Sequence, residues 1–392
     1  MAVNNNFYKV ANELMARASK GAGLTPVNVI DYSTFVEAGT QLKENKTWQE
    51  LTNDFAAEIA NKVELTINIA RQYNADLESM NMGTISPEAA VEIINNGFYD
   101  VRAAQFVGLT DGETVDQYVI SKGKQEVDYY YKSNSGQIPV TIATEELRGA
   151  FRSPEAMDAF LYGKVMYALN SKNQTVEVAR YALLANAVID LTHSGSAYEA
   201  TPATSPMDCA QRYKLISLYN AINKTSLTAD DAIYDKEFIR FAVSTINAIK
   251  KKMVKASESF NAKEWKTFTP ISELRTYIVA PFGSAIDAYL YPDTFHNETN
   301  RLENFETIPY LQNEKKPFIA NYSYGSKQDN SLETPPVLAV CADRYALMEF
   351  TEIDDVTTTP YNAAGKFTND WVNFQYAYMY NRCANLVIFT LD

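Results

Sequence analysis

Apolar residues recur with helical spacing through much of the first two thirds of the chain. The earliest such stripe follows a four-residue repeat and consists of Leu51, Phe55, Ile59 and Val63. A capping box from Thr47 to Glu50 precedes it and marks the start of a helix. No neighbouring segment offers a matching apolar face. The stripe therefore predicts an amphipathic helix that packs on the core of the protein, or an arm that lies on another subunit.

The longest helical pattern runs from Pro154 to Asp190. A continuous helix of about 37 residues would extend over roughly 55 Å, which predicts the backbone of an elongated domain. Other helices are predicted to start at Ser86-Pro87 and to span 209–223 and 236–256. The last of these ends in Lys250, Lys251, Lys252 and Lys255. These lysines predict a cationic helix terminus or, alternatively, a nucleic-acid patch.

Residues 107–135 break the helical pattern. Short extended pieces such as Gln117–Ile120 and Val127–Tyr131 alternate with glycines, and charges of both signs surround them. This pattern predicts a long, twisted, two-stranded excursion that has no core of its own. Such a hairpin needs a partner surface, either in the same subunit or in a neighbouring one.

The last third of the chain changes to a period of two. Strands are predicted over 277–280, 285–290, 337–341, 345–350, 371–380 and 386–391. Apolar residues occupy alternate positions of the 371–380 stretch, which predicts one buried face. The 386–389 segment is apolar on both faces and is therefore predicted to lie centrally in a sheet. Helices and strands are segregated along the chain, so the fold class is predicted to be α+β.

The charge balance argues against a dedicated nucleic-acid binder. The chain carries 35 Lys and Arg against 48 Asp and Glu, a formal net charge of −13. Binding to phosphates depends on a basic surface, so this chain as a whole repels DNA. A protein that encloses DNA without binding its sequence remains compatible with this charge, and no attachment to an anionic membrane is predicted.

Targeting and membrane signals are not recognised in the sequence. The N-terminal residues lack a basic segment followed by an apolar one, and no run approaches 18 apolar residues. The three cysteines, Cys209, Cys341 and Cys383, are far apart. This cysteine usage predicts synthesis in a reducing cytoplasm without a disulfide framework.

No motif points to a catalytic, metal or cofactor site. The sequence contains neither a dinucleotide fingerprint nor a phosphate loop, and its two histidines, His193 and His296, have no metal-ligand spacing. His193 is predicted to lie in a loop. Cys341 and Cys383 are predicted to be buried and inert, although a cysteine-dependent hydrolase is a remaining alternative. The chain has 26 tyrosines, which favour protein–protein contacts. A structural protein without cofactor is the main expectation.

Four stretches in order resemble a known family. Gly112–Tyr118 looks like an extended loop, and Gln137–Phe151 is similar to the lead-in to a spine helix. Trp265–Tyr291 resembles the strand pair of an axial domain, and Trp371–Leu391 is similar to a closing hairpin. Together they resemble the major capsid proteins of small short-tailed bacteriophages, which have the Hong Kong 97-type capsid fold.

The resemblance implies five segments. They are a helical N-terminal arm (1–97), an extended loop (98–136), a peripheral domain with the spine helix (137–193), an axial domain (194–334) and closing strands of the peripheral domain (335–392). Residues 194–231 look like an insertion ahead of the axial core.

The resemblance also implies a function. It predicts self-assembly through pentamers and hexamers into an icosahedral head around double-stranded DNA, with scaffolding and portal proteins as further partners. The candidate contacts between subunits are Leu51, Phe55, Ile59, Asp116, Tyr118, Lys122, Lys124, Tyr129 and Tyr131. The implied location is the virion capsid, after synthesis in the host cytoplasm. A nanocompartment shell of the same fold, enclosing an enzyme, is the alternative.

Overall fold

A computed structural model provides the structure of the protein. It describes residues 73–87, 89–99, 120, 123–130, 133–144, 146, 154–193, 199–200, 210–289, 305–309, 318–324, 327–334 and 336–392, together with residues 12 and 34.

Five helices follow one another in the described part of the chain. They are α1 (Pro154–His193), α2 (Leu215–Asn223), α3 (Ala229–Ala232), α4 (Lys236–Met253) and α5 (Ala280–Tyr289). A short 3-10 helix, Glu78–Met80, precedes them.

The described strands form four sheets. The four-stranded sheet has the order β1-β12-β13-β4, built from β1 (Asn81–Thr84), β12 (Leu347–Thr358), β13 (Phe367–Tyr380) and β4 (Ser133–Ala143). The six-stranded sheet has the order β5-β6-β14-β11-β7-β8, built from β5 (Glu199–Ala200), β6 (Arg212–Lys214), β14 (Leu386–Thr390), β11 (Val337–Asp343), β7 (Leu274–Val279) and β8 (Phe305–Ile308). Two antiparallel pairs complete the set, β2 (Val91–Asn96) with β3 (Gln125–Tyr130) and β9 (Phe318–Tyr324) with β10 (Lys327–Thr334).

Helix α1 packs against both large sheets. It is 40 residues long, which confirms the predicted long helix, and its glycine and polar stretch do not interrupt it. In its middle, Val176 packs on Phe374 and Tyr376 of the four-stranded sheet. In its C-terminal half, Leu184 and Val188 enter a second core with residues of the six-stranded sheet. One rigid helix therefore fixes the position of one sheet relative to the other.

A buried ion pair joins α1 to the four-stranded sheet. The Arg180 guanidinium donates through Nε and Nη2 to the two Glu349 carboxylate oxygens, at 2.7 and 2.8 Å. The Glu349 side chain has no solvent exposure and that of Arg180 has 6%. Burial alone would lower the pKa of Arg180, but the hydrogen bonds and charge of Glu349 outweigh it and raise the pKa. Arg180 is therefore a cation in this buried contact.

The same helix holds the chain that leads into the first strand. Arg180 Nη1 donates to the Asp76 carbonyl oxygen at 2.9 Å, and the Tyr181 hydroxyl donates to the Asp76 carboxylate at 2.7 Å. The Glu177 carboxylate accepts from the Asp76 amide at 3.0 Å and from the Tyr73 hydroxyl at 2.8 Å. Residues 73–80 are thus fixed to α1 by polar contacts.

The other face of the six-stranded sheet is covered by α2, α4 and α5. Their apolar residues share one core with Leu338, Cys341 and Phe389 of the sheet. Helix α4 starts at Asp235, whose carboxylate accepts from the Phe238 amide at 2.7 Å, and it ends in a turn of lysines. Lys250, Lys251 and Lys252 form the predicted cationic last turn, and Lys250 is buried. Strand β14 lies inside the sheet, as its two apolar faces predict.

The predicted helix start at Ser86-Pro87 is wrong, and with it the helical character of the end of the 1–97 arm. Ser86 accepts a hydrogen bond from the Ala89 amide in a single turn, and the chain continues as β2. Residues 91–96 alternate between half-buried and exposed positions. Their pairing with β3 therefore outweighs the capping signal. Residues 1–72, apart from 12 and 34, lie outside the described part.

The predicted strand at 285–290 is also wrong, because residues 285–289 belong to α5. Phe282, Ala285 and Ile286 recur at helical spacing and are buried in the core. Pro281 lies in the first turn, where its missing N–H is not needed. Two smaller corrections concern residues 212–214, which pair with β14 instead of starting a helix, and His193, which ends α1 instead of lying in a loop.

Replacement of Arg180 by Met is expected to destabilise the fold strongly. The change leaves the Glu349 carboxylate buried without a cation, which costs about 3–5 kcal/mol. The free energy of unfolding, from denaturant titration of the subunit, measures the effect. The matched control is Arg240→Met, because the Arg240–Glu237 pair is exposed and such pairs contribute less than about 1 kcal/mol. Equal effects of the two changes would contradict the role given to the buried pair.

Candidate functional site

Strands β2 and β3 form a ribbon whose two faces differ. Val91 pairs with Tyr130 at one end of the antiparallel register, and Asn96 pairs with Gln125 at the other. Side chains alternate between the faces, so odd positions of β2 and even positions of β3 lie on the inner side. This β2–β3 ribbon confirms the predicted extended piece at residues 127–130. Its partner is β2, which lies in a segment that was predicted to be helical.

The inner face of the ribbon packs on the subunit's own four-stranded sheet. Half-buried Val91, Ile93 and Tyr130 lie against a cluster that contains Met348 and Met379. The described part of the predicted hairpin, β3, thus has a partner surface within its own chain. Residues 107–119 of that hairpin lie outside the described residues, so a contact of the hairpin with a neighbouring subunit stays a prediction.

Two polar contacts extend this attachment. The Tyr130 hydroxyl donates to the Tyr380 carbonyl oxygen at 2.7 Å. The side-chain amides of Asn95 and Asn381 donate to each other, at 3.4 and 3.1 Å. These groups connect the ribbon to the turn between β13 and β14.

A third contact is ionic. The Lys263 ammonium bonds to the Glu126 carboxylate and lies 3.5 Å from the Asp128 oxygens. Burial tends to lower the pKa of Lys263, but the hydrogen bond to Glu126 and the charge of Asp128 raise it. The Cys383 sulfur lies 3.6 Å from the other Glu126 oxygen.

Glu126, Asp128 and Cys383 place three possible metal ligands within 4.8 Å of one another, and no other such group occurs among the described residues. The donor set does not suit a metal ion. The Lys263 ammonium already supplies the positive charge between the carboxylates. Burial and the Glu126 charge raise the pKa of the Cys383 thiol to about 12, which keeps it protonated at neutral pH.

The outer face of the ribbon exposes apolar side chains. Ile94 and Val127, which face each other across the strands, are 50% and 40% exposed, and Tyr129 is 63% exposed. The Tyr129 hydroxyl donates to Glu92 at 2.9 Å, and this hydrogen bond raises its pKa. The outer face thus has an apolar centre with polar neighbours, which is the composition of a protein–protein contact.

Further exposed aromatic residues lie at the end of the ribbon where β2 ends and β3 begins. The Phe98 and Phe268 rings are 6.2 Å apart, and the Lys266 ammonium lies 6.0 Å from the Phe98 ring centre. The Tyr99 ring lies close to the Gly123 backbone, and a side chain at position 123 would displace it. Phe98, Tyr99 and Phe268 are all substantially exposed.

Two of the predicted contact residues can be placed. Tyr129 is exposed on the ribbon, and Lys124 is exposed immediately before β3. The other seven, Leu51, Phe55, Ile59, Asp116, Tyr118, Lys122 and Tyr131, lie outside the described residues. The sequence analysis missed Ile94, because its segment was assigned to a helix, although apolar residues at 91 and 93 signalled a strand.

The described cysteines are buried. Burial raises the pKa of the Cys341 thiol to about 11, and Cys383 is only 2% exposed. Neither thiol is therefore an activated nucleophile at neutral pH. In the part of the chain that the structure describes, no helix combines the length and apolar character that crossing a membrane requires.

Comparison with known proteins identifies the family. The profile of the family described as Phi29-like phage major capsid protein matches residues 12–390. The chain belongs to this family. It is therefore a phage major capsid protein by descent, and the resemblance noted in the sequence is confirmed. No curated protein sequence matches this capsid protein significantly.

Solved structures support the fold independently. A chain of the capsid structure of Staphylococcus phage Andhra is similar with a TM-score of 0.56 and 10% identity, over 83% of this chain and 86% of that one. A chain in a structure of the head fiber and inner core protein gp22 of native bacteriophage P68 gives a TM-score of 0.55 and 10% identity, over 83% and 87%. The mixed helix-and-sheet fold of Hong Kong 97 type is thereby confirmed for this capsid protein.

Cys341 and Cys383 are expected to resist alkylation in the native protein. With pKa values near 11 and 12, roughly one thiol in a thousand or fewer is ionised at pH 8. Raising the pH toward those values increases the thiolate fraction, and burial still limits access. Iodoacetamide treatment of a Cys209→Ser variant, read by peptide mass spectrometry, is the measurement. The same variant in denaturant is the control and labels fully. Rapid native labelling would instead support the hydrolase alternative.

Proposed function

We propose that this capsid protein assembles through pentamers and hexamers into an icosahedral head that encloses double-stranded DNA. Membership of the major capsid protein family over residues 12–390 is the observation that carries this proposal. The protein acts as a structural component and not as an enzyme. Its location is the virion capsid, after synthesis in the host cytoplasm, with scaffolding and portal proteins as further partners.

The segments implied by the resemblance are retained as a proposal. Helix α1 serves as the spine, 137–193 and 335–392 form the peripheral domain, and 194–334 forms the axial domain. The observation in favour of a spine is that α1 packs on both large sheets. Strands β11 and β14 of 335–392 lie between β6 and β7 of 194–334 in the six-stranded sheet, so this sheet joins the peripheral and axial segments. Residues 194–231 contribute β6 and α2 to the axial core, which gives the insertion a structural role.

Contacts between copies are proposed to involve the extended loop, 98–136, and the ribbon from which it emerges. Ile94, Val127 and Tyr129 leave apolar surface exposed although the inner face is attached to the body. Burial of this apolar surface under a second copy is favourable, because it removes the surface from water. Repetition over many symmetric copies makes weak contacts cooperative.

The charge of the chain supports enclosure of DNA without specific binding. A net charge of −13 repels phosphates, so packaged DNA would not adhere to the inner wall. The nanocompartment alternative places a protein cargo in the same interior.

Electron microscopy of the purified protein, expressed alone and with a scaffolding protein, tests the proposed function. Closed particles of uniform diameter are expected. Nucleic acid in particles from infected cells supports the head, and an enzyme as the only content would support the nanocompartment. Small oligomers under every condition would contradict both.

Replacement of Ile94 by Asp is expected to block particle formation without unfolding the subunit. Ile94 is half exposed, so the folded subunit tolerates the carboxylate, whereas a covering copy would desolvate it. Particle yield should fall by roughly tenfold or more. Sedimentation measures yield, and circular dichroism checks folding.

Ile94→Thr is the control, because it keeps the β-branched shape without a charge. Normal particle yield from Ile94→Asp would exclude this surface from the contact between copies.

A further inference from the structure

Lys263 lies in the turn 261–265, which is held to the body of the subunit by hydrogen bonds. The Asn261 side chain is fully buried and bonds in both directions with Trp265, accepting from its amide at 2.7 Å and donating to its carbonyl oxygen at 2.6 Å. Gln211 donates to the Asn261 carbonyl oxygen. The turn is therefore anchored to the body of the subunit, and the Lys263 side chain starts from a defined position.

The lysine reaches the ribbon at the end from which the extended loop leaves. Glu126 and Asp128 are two positions apart on β3, so both carboxylates lie on its inner face. Glu126 is paired with Asn95, one position from the Asn96–Gln125 end of the register. The Lys263 ammonium touches both carboxylates.

The apolar attachment of the ribbon lies toward the opposite end. The apolar cluster and the Tyr130 hydroxyl hold the end where Val91 pairs with Tyr130. The loop end is held by the Asn95–Asn381 amide pair, by the Phe98–Phe268 contact and by the ion pairs of Lys263. The ion pairs join the carboxylates of β3 to the anchored turn and so restrain the inclination of the ribbon to the body.

Without the lysine, the inner face would have two neighbouring carboxylates that repel each other. The sulfur beside Glu126 cannot replace the positive charge, because a cysteine is neutral as a thiol and negative as a thiolate. The ammonium is thus the group that lets this acidic end of the ribbon lie close to the body.

We propose that Lys263 is a positioning residue for assembly, whose ion pairs with Glu126 and Asp128 set the inclination of the β2–β3 ribbon to the body of the subunit. The inference rests on the proposed function, because it gives that inclination a role in the contact with a second copy. Loss of the ion pairs lets the ribbon take several inclinations, so that contacts between copies form with variable geometry.

The first test measures the unassembled subunit. Amide hydrogen exchange is followed in wild type, Lys263→Met and Lys263→Arg, with Arg240→Met as a control that removes an exposed ion pair elsewhere. Lys263→Met should accelerate exchange of ribbon amides about tenfold, because 1.4 kcal/mol corresponds to that factor. Lys263→Arg and Arg240→Met should leave these rates within about twofold of wild type. Unchanged ribbon exchange in Lys263→Met would overturn the proposal.

The second test reads assembly. Lys263→Met should give particles of broadened diameter or open shells, while its thermal unfolding stays close to that of wild type. Exchanging the charges, Lys263→Glu with Glu126→Lys, keeps one attractive pair and should restore uniform particles better than Lys263→Glu alone. Particles of normal uniformity from Lys263→Met would overturn the assembly role.

The failures of the two proposals are distinguishable. If wild type never assembles, the proposed function fails, while hydrogen exchange still decides whether Lys263 holds the ribbon. If Lys263→Met does not fold, Glu126→Gln with Asp128→Asn removes the same ion pairs from the other side. That double variant should show the same loosened ribbon, and unchanged ribbon exchange in it would overturn the proposal.

Discussion

The described structure depends on one long helix that is shared by two sheets. Because α1 contributes to two cores, both its rotation and its position along its axis must be fixed. Apolar packing alone does not specify them tightly enough. The Arg180–Glu349 pair supplies this, since two buried charges tolerate only one geometry. A second pair acts near the end of the helix, where buried Asp190 accepts from the Arg382 guanidinium at 2.8 Å. These contacts define how the six-stranded sheet stands on the four-stranded one.

The β2–β3 ribbon uses a different balance of forces. Its inner face is held by a small apolar cluster, amide pairs and partly exposed charges, each of modest strength. Its outer face keeps Ile94 and Tyr129 exposed. A weakly held element with an uncovered apolar side is well suited to contacts between copies, because covering it adds stability that the free subunit lacks. The strong buried pairs thus stabilise the fold, whereas the more weakly held ribbon remains available for contacts between copies.

Several buried polar groups of the described interior have structural roles. Cys341 packs within the six-stranded sheet, and Glu177 and Asp190 hold neighbouring segments to α1. Buried charges and raised thiol pKa values often indicate an active site, yet here each has a structural partner or an apolar setting. This agrees with a family whose members form the capsid.

The sequence alone determined the features that depend on local pattern. The uninterrupted helical repeat after Pro154 predicted α1, and the alternation at 371–380 predicted the buried face of β13, because periodicity reflects which side of an element meets the core. Tertiary structure decided the rest. Residues 91–96 form a strand because β3 pairs with them and the surface around Met379 covers their inner side. Ala285 and Ile286 lie in a helix because both edges of β7 are already paired, with β11 and β8, and leave no place for a further strand beside it. The partners of Arg180 and Lys263 lie more than a hundred residues away along the chain, so only the folded chain brings those charges together.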